Sequence, residues 1–215
     1  MTDLLLIRHG ETDFNRQLRF QGHVDVPLNA TGQAQAARLA QRLLAEPIGQ
    51  VVTSDLQRAR ETAAPLLALR KLPLRADARW REQAFGVLEG LEVAAARTSH
   101  PDLWAAWARH DADHALPGGE SARQFHARVM QALLGLQTLA DAAPAASGPV
   151  AVFTHGGVLD MVWRQAHGLP LAGPRNCAIP NTGVNRLRWD GRRLEIVQWA
   201  DDTHLQGPAA EPLPA

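Results

Sequence analysis

One apolar run near the start of the chain constrains the fold most. Residues 4–7 read Leu-Leu-Leu-Ile without polar alternation, and the turn-like Arg8-His9-Gly10 follows directly. Such a run is typical of a strand that is buried on both faces of a sheet. A strand of this kind needs a layer of helices on each side, so we expect an α/β architecture.

Other segments alternate between strand and helix patterns. The strand candidates are short and largely apolar, and they are 50–53, 72–75, 150–154, 183–189 and 194–199. The helix candidates carry apolar residues at helical spacing, and they are 31–44, the segment after Ser54, 121–140 and 158–166. Asp190-Gly191 separates the last two strand candidates and predicts a hairpin, so at least one strand pair should be antiparallel.

Two serines have the spacing of a capping box, Ser54 with Gln57 and Ser121 with Gln124, and each pair predicts a helix start. Pro65 should kink or end the first of these helices, because proline lacks the N–H that a helix interior needs.

The alternation predicts a three-layer α/β/α sandwich around a mostly parallel mixed sheet. We expect one domain over residues 1–205, with the irregular region 82–119 as an excursion that roofs a site. Three prolines and three alanines among residues 206–215 predict a disordered tail.

Composition excludes several classes of partner. Lys plus Arg and Asp plus Glu both total 22, so the chain has no broad positive surface for nucleic acid or anionic membranes. Cys177 is the only cysteine, which excludes an internal disulfide and a cysteine-based zinc site. No stretch approaches the ~20 apolar residues of a transmembrane helix. We therefore expect a soluble, cytoplasmic protein.

Two histidines follow strand candidates, at the sheet edge where α/β proteins bind ligands. His9 follows the first strand, and His155 follows 150–154 and leads through Gly156 into a helix. A helix N-terminus offers N–H groups to an anion, and Arg8 and Arg58 add donors suited to phosphate oxygens. A single histidine in such a position is more often structural, but the combination favours a phosphate site.

At this point the sequence resembles the histidine phosphatase superfamily, which includes the phosphoglycerate mutase-like enzymes. The matching blocks occur in order along nearly the whole chain, and they are 6–12 (LIRHGET), Asn15 with 20–28 (FQGHVDVPL), 32–36 (GQAQA), 54–63 (SDLQRARETA), 81–90 (REQAFGVLEG), 117–121 (PGGES) and 154–157 (THGG). One departure is Leu88, where many members carry tryptophan, and it leaves part of the pocket lining open.

The resemblance implies a role for each matching residue. His9 would be the nucleophile that takes the phosphoryl group, and Glu82 would protonate the leaving oxygen and later activate water. The groups implied to bind the phosphoryl oxygens or line the substrate side are Arg8, Asn15, Gln21, Gly22, Arg58, His155 and Gly156. The chemistry is consistent, because imidazole is largely unprotonated near neutral pH and fixed positive charge stabilises phosphoryl transfer.

Other interpretations of single residues stay open. Glu82 could instead be a surface partner of Arg79 or Arg81, and Glu89 is the rival acid. His110 and His114 would share a face if their segment is helical and could then bind a metal, although the aspartates between them favour a solvated face. Cys177 has no evident partner that would activate it, and His23 could border the pocket or lie in solvent.

The expected function is that of a phosphomonoesterase that needs no metal or other cofactor and acts on a small phosphate ester. The alternatives are a phosphoglycerate mutase, a phosphoprotein phosphatase and a non-catalytic protein that binds a phosphorylated ligand. A mutase needs extra cationic and aromatic groups above the pocket. The chain has no tyrosine, and between Glu89 and Pro117 its only permanent cations are Arg97 and Arg109, which favours hydrolysis. The substrate stays open, and a homodimer is compatible with the sequence.

Overall fold

The computed structural model describes residues 1–142 and 148–206. The strands are β1 Thr2–Arg8, β2 Gln50–Thr53, β3 Leu74–Ala76, β4 Val150–Thr154, β5 Val184–Trp189 and β6 Leu194–Asp201. The α-helices are α1 Asp13–Arg16, α2 Ala30–Leu43, α3 Gln57–Leu69, α4 Val93–Ser99, α5 Pro101–Ala108, α6 Ala122–Ala142 and α7 Gly156–His167. Short 3₁₀ helices span Ala78–Trp80, Gly86–Leu88 and Thr203–Leu205.

The strands form one mixed sheet in the order β3-β2-β4-β1-β5-β6. Pairings between β1 and β4, β2 and β4, and β2 and β3 are parallel, whereas β5 pairs antiparallel with both β1 and β6. The hairpin expected at Asp190-Gly191 is therefore confirmed. Strand β1 lies inside the sheet, as its unbroken apolar sequence predicts.

Alternate residues of β1 pack into two cores on opposite faces of the sheet. Leu4 and Leu6 contact a core that includes Phe125 of α6 and Val158 of α7. Leu5 and Ile7 contact the other core, with Leu39 and Leu43 of α2 and Ala63 and Leu66 of α3. The sheet thus lies between two helical layers, and the predicted three-layer α/β/α sandwich is confirmed.

A third, smaller core lies beneath region 82–119, where the sequence pattern was irregular. Helices α4 and α5 form here, and Phe20, Leu88, Ala96 and Leu116 are buried together. Their burial fixes this region as a roof beside the carboxyl end of the sheet. Leu88 fills this core and does not line the small cavity described below.

The capping box predicted at the start of α3 is wrong, and Pro65 does not end this helix. The N-cap residue of α3 is Leu56, and the first helical N–H, that of Gln57, is bound by the distant carboxylate of Asp25 at 2.6 Å. Ser54 therefore forms no capping box. The helix also continues through Pro65 to Leu69, because burial of Ala63 and Leu66 against the sheet offsets the local cost of the proline.

The helix considered for His110 and His114 is also not formed, because α5 ends at Ala108 and both histidines lie in the loop that follows. At Ser121 and Gln124, by contrast, both reciprocal capping hydrogen bonds are present, so that capping box is confirmed. The predicted tail lies outside the described residues except for Gln206. None of the described helices combines the length and apolar character needed to cross a bilayer.

Candidate active site

The carboxyl ends of three neighbouring strands bring together side chains that are far apart in sequence. His9 follows β1, His155 follows β4 and Ser54 follows β2. The backbone N–H of His9 donates to the carbonyl of Thr154 at 2.9 Å, and that of Ser54 donates to Phe153 at 2.9 Å. The sheet hydrogen-bonding pattern thus continues one residue beyond the strands and fixes the histidines beside each other, with ring centroids 5.2 Å apart.

The orientation of His9 is set by backbone contacts. Its Nδ1 donates to the carbonyl of Gly10 at 2.7 Å, so Nε2 is the ring nitrogen without a proton when the imidazole is neutral. The N–H of Gly10 donates to Thr62 Oγ1 at 2.9 Å, and Asn181 Nδ2 donates to the carbonyl of His9 at 2.9 Å. His9 is only 2% exposed, so it has little freedom to turn away.

Both site histidines have pKa values well below the ordinary value. Burial is the main cause of the low pKa of His9, and the positive charges of Arg58 and Arg8 lower it further. Burial also lowers the pKa of His155, with smaller contributions from Arg58 and His9. Both imidazoles are therefore neutral near pH 7, as a nucleophilic His9 requires.

Arg58 is fully buried beside these histidines. Its Nη1 and Nη2 donate to the carbonyls of Val24 and Gly22 at 2.9 and 2.8 Å, but its Nε has no partner within residues 1–142 and 148–206. Gly22 has φ +51, and an added Cβ would lie 2.0 Å from Glu89 Oε1, so glycine is needed for this backbone path. Burial lowers the pKa of Arg58 to about 10, which still leaves the guanidinium charged at neutral pH.

Arg8 and Arg175 supply two further guanidinium groups. Arg8 Nη1 donates to the carbonyl of Ile179 at 2.6 Å, whereas its buried Nε has no partner in the part of the chain that the structure describes. Arg8 Nε and Arg175 Nη1 lie 3.5 and 3.4 Å from the position of a Cβ built on Gly156, at the N-terminus of α7. Burial, and then the charge of Arg175, lowers the pKa of Arg8 to about 10.

Glu82 lies at the same helix N-terminus. Its Oε2 accepts the N–H of Gly157 at 3.0 Å, and its Oε1 accepts the N–H of Gln83 at 2.8 Å. A Cβ on residue 157 would lie 2.0 Å from Glu82 Oε1, so the glycine allows this approach. The interpretation of Glu82 as a partner of Arg79 or Arg81 is wrong, because those arginines pair with Asp77 and Asp55.

These side chains surround a cavity of about 150 Å³, which we call the phosphate cavity. Its lining includes all the predicted site residues except His155, and they are Arg8, His9, Asn15, Gln21, Gly22, Arg58, Glu82 and Gly156. Arg19, Phe20, Phe85, Val93 and Arg175 complete the lining. The side-chain oxygens of Asn15 and Gln21 accept from Thr12, which leaves their NH₂ groups as donors for a ligand.

His155 is not part of the lining of this cavity, and its direct binding of the phosphoryl group stays a prediction. It is fully buried behind His9, and its Nε2 is hydrogen-bonded to Ser54 Oγ at 2.8 Å. Its buried Nδ1 has no partner among the described residues. Ser54 thus orients His155. It does this instead of capping the helix that follows.

Sequence reasoning missed three supporting residues. Arg175 lines the cavity, Asn181 binds the backbone of His9, and Arg128 donates to the carbonyls of Arg79, Arg81 and Glu82. Arg128 lies one helical turn after Gln124 in α6. The only sign of its role in the sequence pattern is its place near the apolar positions of this amphipathic helix. Arg175 and Asn181 lie in an irregular segment that carries no pattern.

The remaining candidates have structural surroundings. Glu89 Oε1 accepts the N–H groups of His23 and Phe85, so this rival acid holds two loops together. His23 Nε2 donates to the carbonyl of Glu82 at 2.9 Å. Burial raises the pKa of Cys177 to about 11, so its thiol is not activated. Within residues 1–142 and 148–206, no three His, Cys, Asp or Glu side chains are grouped in a way that could hold a metal ion.

Comparisons with known proteins agree with this geometry. The family model of the histidine phosphatase superfamily (branch 1) matches residues 4–202. Phosphoglycerate mutase-like protein 4 of Arabidopsis thaliana is 36% identical over 208 residues, which cover 95% of this chain and 87% of that protein.

Solved structures show the same similarity. The mycobacterial glucosyl-3-phosphoglycerate phosphatase in complex with VO3 matches with a TM-score of 0.81 and 32% identity, covering 93% of this chain and 99% of that chain. Bacillus stearothermophilus YhfR matches with a TM-score of 0.84 and 29% identity, covering 96% and 100% of the two chains. The chain therefore belongs to the histidine phosphatase superfamily (branch 1).

Proposed function

We propose that this chain hydrolyses the phosphate monoester of a small metabolite by transferring the phosphoryl group first to His9 and then to water. The observation that carries the proposal is the pinned orientation of His9. Because Nδ1 donates to Gly10, the lone pair of Nε2 is the one available to attack phosphorus. Burial and nearby arginines keep that nitrogen unprotonated.

Unpaired donors beside His9 support a phosphoryl ligand. The described residues include five buried side-chain nitrogens without a hydrogen-bond partner, and two of them, the Nε atoms of Arg8 and Arg58, belong to side chains that line the phosphate cavity. Buried polar groups are normally paired, so such a concentration at one place calls for a ligand. An anion in the phosphate cavity would accept from Arg8 and Arg58 and from the free NH₂ groups of Asn15 and Gln21.

The fixed positive charge supports a reaction that needs no metal. In phosphoryl transfer, catalysis depends mainly on positioning and on stabilising charge at the phosphoryl oxygens. Arg8, Arg58 and Arg175 all line the phosphate cavity, and Arg8 and Arg58 have pKa values of about 10, so they stay charged. In the proposed mechanism these guanidinium groups supply the charge that a metal ion supplies in other phosphatases.

Glu82 is the proposed proton donor to the leaving oxygen. Glu82 lines the same cavity as His9, and hydrogen bonds from the N–H groups of Gly157 and Gln83 hold its carboxyl group in place. Once the alcohol has left, the same carboxylate can accept a proton from the water that attacks phospho-His9. Release of phosphate then restores neutral His9.

The proposed partners are limited to a phosphate ester and water. A homodimer is compatible with the sequence and is not required by the proposed chemistry. A net charge of zero supports a substrate other than nucleic acid or a membrane surface. The single cysteine fits a cytoplasmic location.

The absence of roof cations from the lining of the phosphate cavity, among the described residues, favours hydrolysis over mutase activity. Arg97 and Arg109, the permanent cations between Glu89 and Pro117, are both exposed and do not line the phosphate cavity. The test compares phosphate release with conversion of 3-phosphoglycerate to 2-phosphoglycerate in the presence of the bisphosphate primer. We expect phosphate release to dominate and His9→Ala to abolish it. Primer-dependent conversion faster than phosphate release would show a mutase, with the role of His9 unchanged.

A further inference from the structure

A second and larger cavity adjoins the phosphate cavity. It measures about 430 Å³, within the range of roughly 300–1,000 Å³ that small-molecule sites occupy. We call it the outer chamber, and its main lining residues are Phe85, Trp107, His110, His114, Met161 and Arg175. Trp107, His110, His114 and Met161 line this chamber only and not the phosphate cavity.

Two residues connect the cavities. Phe85 and Arg175 line both of them, so the outer chamber opens beside the place where the proposed phosphoryl group lies. The phosphate cavity, at about 150 Å³, has room for a phosphoryl group but not for a large alcohol portion as well. An ester placed with its phosphorus at His9 would therefore extend its alcohol portion past Phe85 into the outer chamber.

Part of the wall of the outer chamber is aromatic and aliphatic. Trp107 belongs to the small roof core, where its ring meets Phe20 edge-to-face at 5.1 Å, and Phe20 in turn contacts Phe85 at 5.4 Å. Met161 of α7 and Leu171 line the chamber as well. Aromatic surfaces held in this way suit the apolar face of a ring.

Most charged side chains of the outer chamber are already paired. Asp160 accepts from Arg164 at 3.0 Å, and Glu120 accepts from Arg128 at 2.6 Å. Arg175 lies next to Gly156 on the phosphate side. Among the described lining residues, the cation Arg164 is thus paired with Asp160 and the cation Arg175 also lines the phosphate cavity, which favours an uncharged group in the rest of the chamber.

Two imidazole groups also line the outer chamber. The imidazoles of His110 and His114 are in the loop after α5, and within the described part of the chain neither has a hydrogen-bond partner. The ring of His110 lies 5.7 Å from that of Trp107, so a ligand on the tryptophan would reach it. Imidazoles can donate to and accept from hydroxyl groups.

From this arrangement we propose that the outer chamber binds the alcohol portion of the substrate and that this portion is an uncharged, hydroxylated ring. The inference rests on the proposed function for the orientation of the ester. Trp107 and Phe85 contact the ring, and His110 and His114 bind its hydroxyl groups. Sugars and nucleosides share this chemistry, and a compact three-carbon ester lacks it.

Four esters and four variants test the proposal. Glucose 6-phosphate and adenosine 5′-monophosphate carry hydroxylated rings, cyclohexylmethyl phosphate carries a ring without hydroxyl groups, and glycerol 3-phosphate has no ring. The variants are Trp107→Leu and His114→Ala, with Trp104→Leu and His100→Ala as controls. Trp104 and His100 belong to the same roof but do not line either cavity.

The expected kcat/KM values distinguish aromatic contacts with the ring from hydrogen bonds to its hydroxyl groups. Wild-type kcat/KM should be higher for at least one hydroxylated ring than for glycerol 3-phosphate by about tenfold, as one or two added hydrogen bonds would give. His114→Ala should lower kcat/KM for the hydroxylated rings only. Trp107→Leu should lower it for all three ring esters and spare glycerol 3-phosphate. A higher kcat/KM for glucose 6-phosphate would identify the alcohol portion as a sugar, and a higher value for adenosine 5′-monophosphate would identify it as a nucleoside.

Equal kcat/KM for the four wild-type reactions, or an equal loss for all esters in the two variants, would overturn the inference while leaving the proposed function intact. Binding to His9→Ala provides a readout that does not depend on turnover. We expect the preferred ring ester to bind this variant more tightly than inorganic phosphate, and His114→Ala to remove the difference. Equal binding would overturn the inference, whereas a wild-type protein that hydrolyses none of the esters would contradict the proposed function.

Discussion

The Nδ1 of His9 donates to the carbonyl of Gly10 at 2.7 Å, and this contact fixes which ring nitrogen faces the phosphate cavity. A neutral imidazole has one donor and one acceptor nitrogen, so the tautomer is set by the backbone. Burial and the charges of Arg58 and Arg8 keep the pKa of His9 low. The same features that prepare His9 for attack also affect stability.

The first prediction concerns the pH dependence of the free energy of unfolding. The pKa values of His9 and His155 are lower in the folded chain than in the unfolded chain. As the pH falls below about 6.5, the unfolded chain therefore binds protons that the folded chain does not, and stability decreases. Each such histidine contributes a slope of up to about 1.4 kcal/mol per pH unit.

Denaturant unfolding at pH 7.5, 6.5 and 5.5 measures this slope. His9→Asn and His155→Asn should each reduce it, and part should remain because burial also lowers the pKa of His126 and, to about 4, that of His204. The carboxylates with lowered pKa values titrate below this window and do not interfere. Stability that is constant or rises toward pH 5.5 would be inconsistent with two buried neutral histidines.

The second prediction concerns Glu82 as the proton donor. Glu82→Gln should slow hydrolysis of an alkyl phosphate by roughly 10²–10⁴-fold, because a poor leaving group needs the proton most. Phosphorylation of His9 by an aryl phosphate, isolated as a burst, should be affected less. Glu89→Gln is the control for the rival acid, and we expect it to lower stability because Glu89 binds the N–H groups of His23 and Phe85.

An equal loss with both esters would show that Glu82 only supports the structure, through its contacts with Gly157 and Gln83.

The third prediction concerns Arg175, which the sequence did not identify. Arg175→Met should raise KM for phosphate esters by about tenfold, since it removes a charge-assisted contact with the phosphoryl group. Stability should change by less than about 0.5 kcal/mol, because the side chain is 44% exposed and its ion pair with Asp160 is long, at 4.0 Å. Arg97→Met removes an exposed roof cation and should leave KM unchanged. Equal effects of both substitutions would argue for a general charge effect.

The fourth prediction concerns metals and anions. Activity should survive treatment with a chelator, because guanidinium groups supply the charge in the proposed mechanism. Vanadate, which resembles the five-coordinate phosphoryl group, should inhibit strongly, and Arg58→Ala should weaken that inhibition. Loss of activity in chelator and its recovery with zinc or magnesium would show that a metal takes part.

The strand ends could be predicted from the sequence because burial leaves a direct pattern there. The apolar runs before His9 and His155 fixed both histidines at the carboxyl edge of the sheet. Ser54 shows where such patterns fail. Its spacing from Gln57 fits a helix cap, but the distant Asp25 caps the helix and the serine binds His155. Only the fold brings those groups together.

Arg175 was beyond prediction for a related reason. It lies in an irregular segment whose path is set by Arg164, which donates to the carbonyls of Pro170, Ala172, Gly173 and Pro174. The secondary-structure propensities of the residues do not predict side-chain contacts of this kind between a helix and the loop that follows it. Region 82–119 was similarly ambiguous, since its helices depend on the small core around Phe20 and Leu88.

Trapping the phosphorylated protein tests the central claim most directly. The wild-type chain would be mixed with an aryl phosphate labelled at phosphorus, quenched during turnover and digested for peptide mapping. We predict a label that is stable in base, labile in acid and attached to His9, and no label in His9→Ala. His9→Ala should remain folded by circular dichroism, so that a missing label reports chemistry. A label on serine or aspartate, or turnover that persists in His9→Ala, would contradict the account.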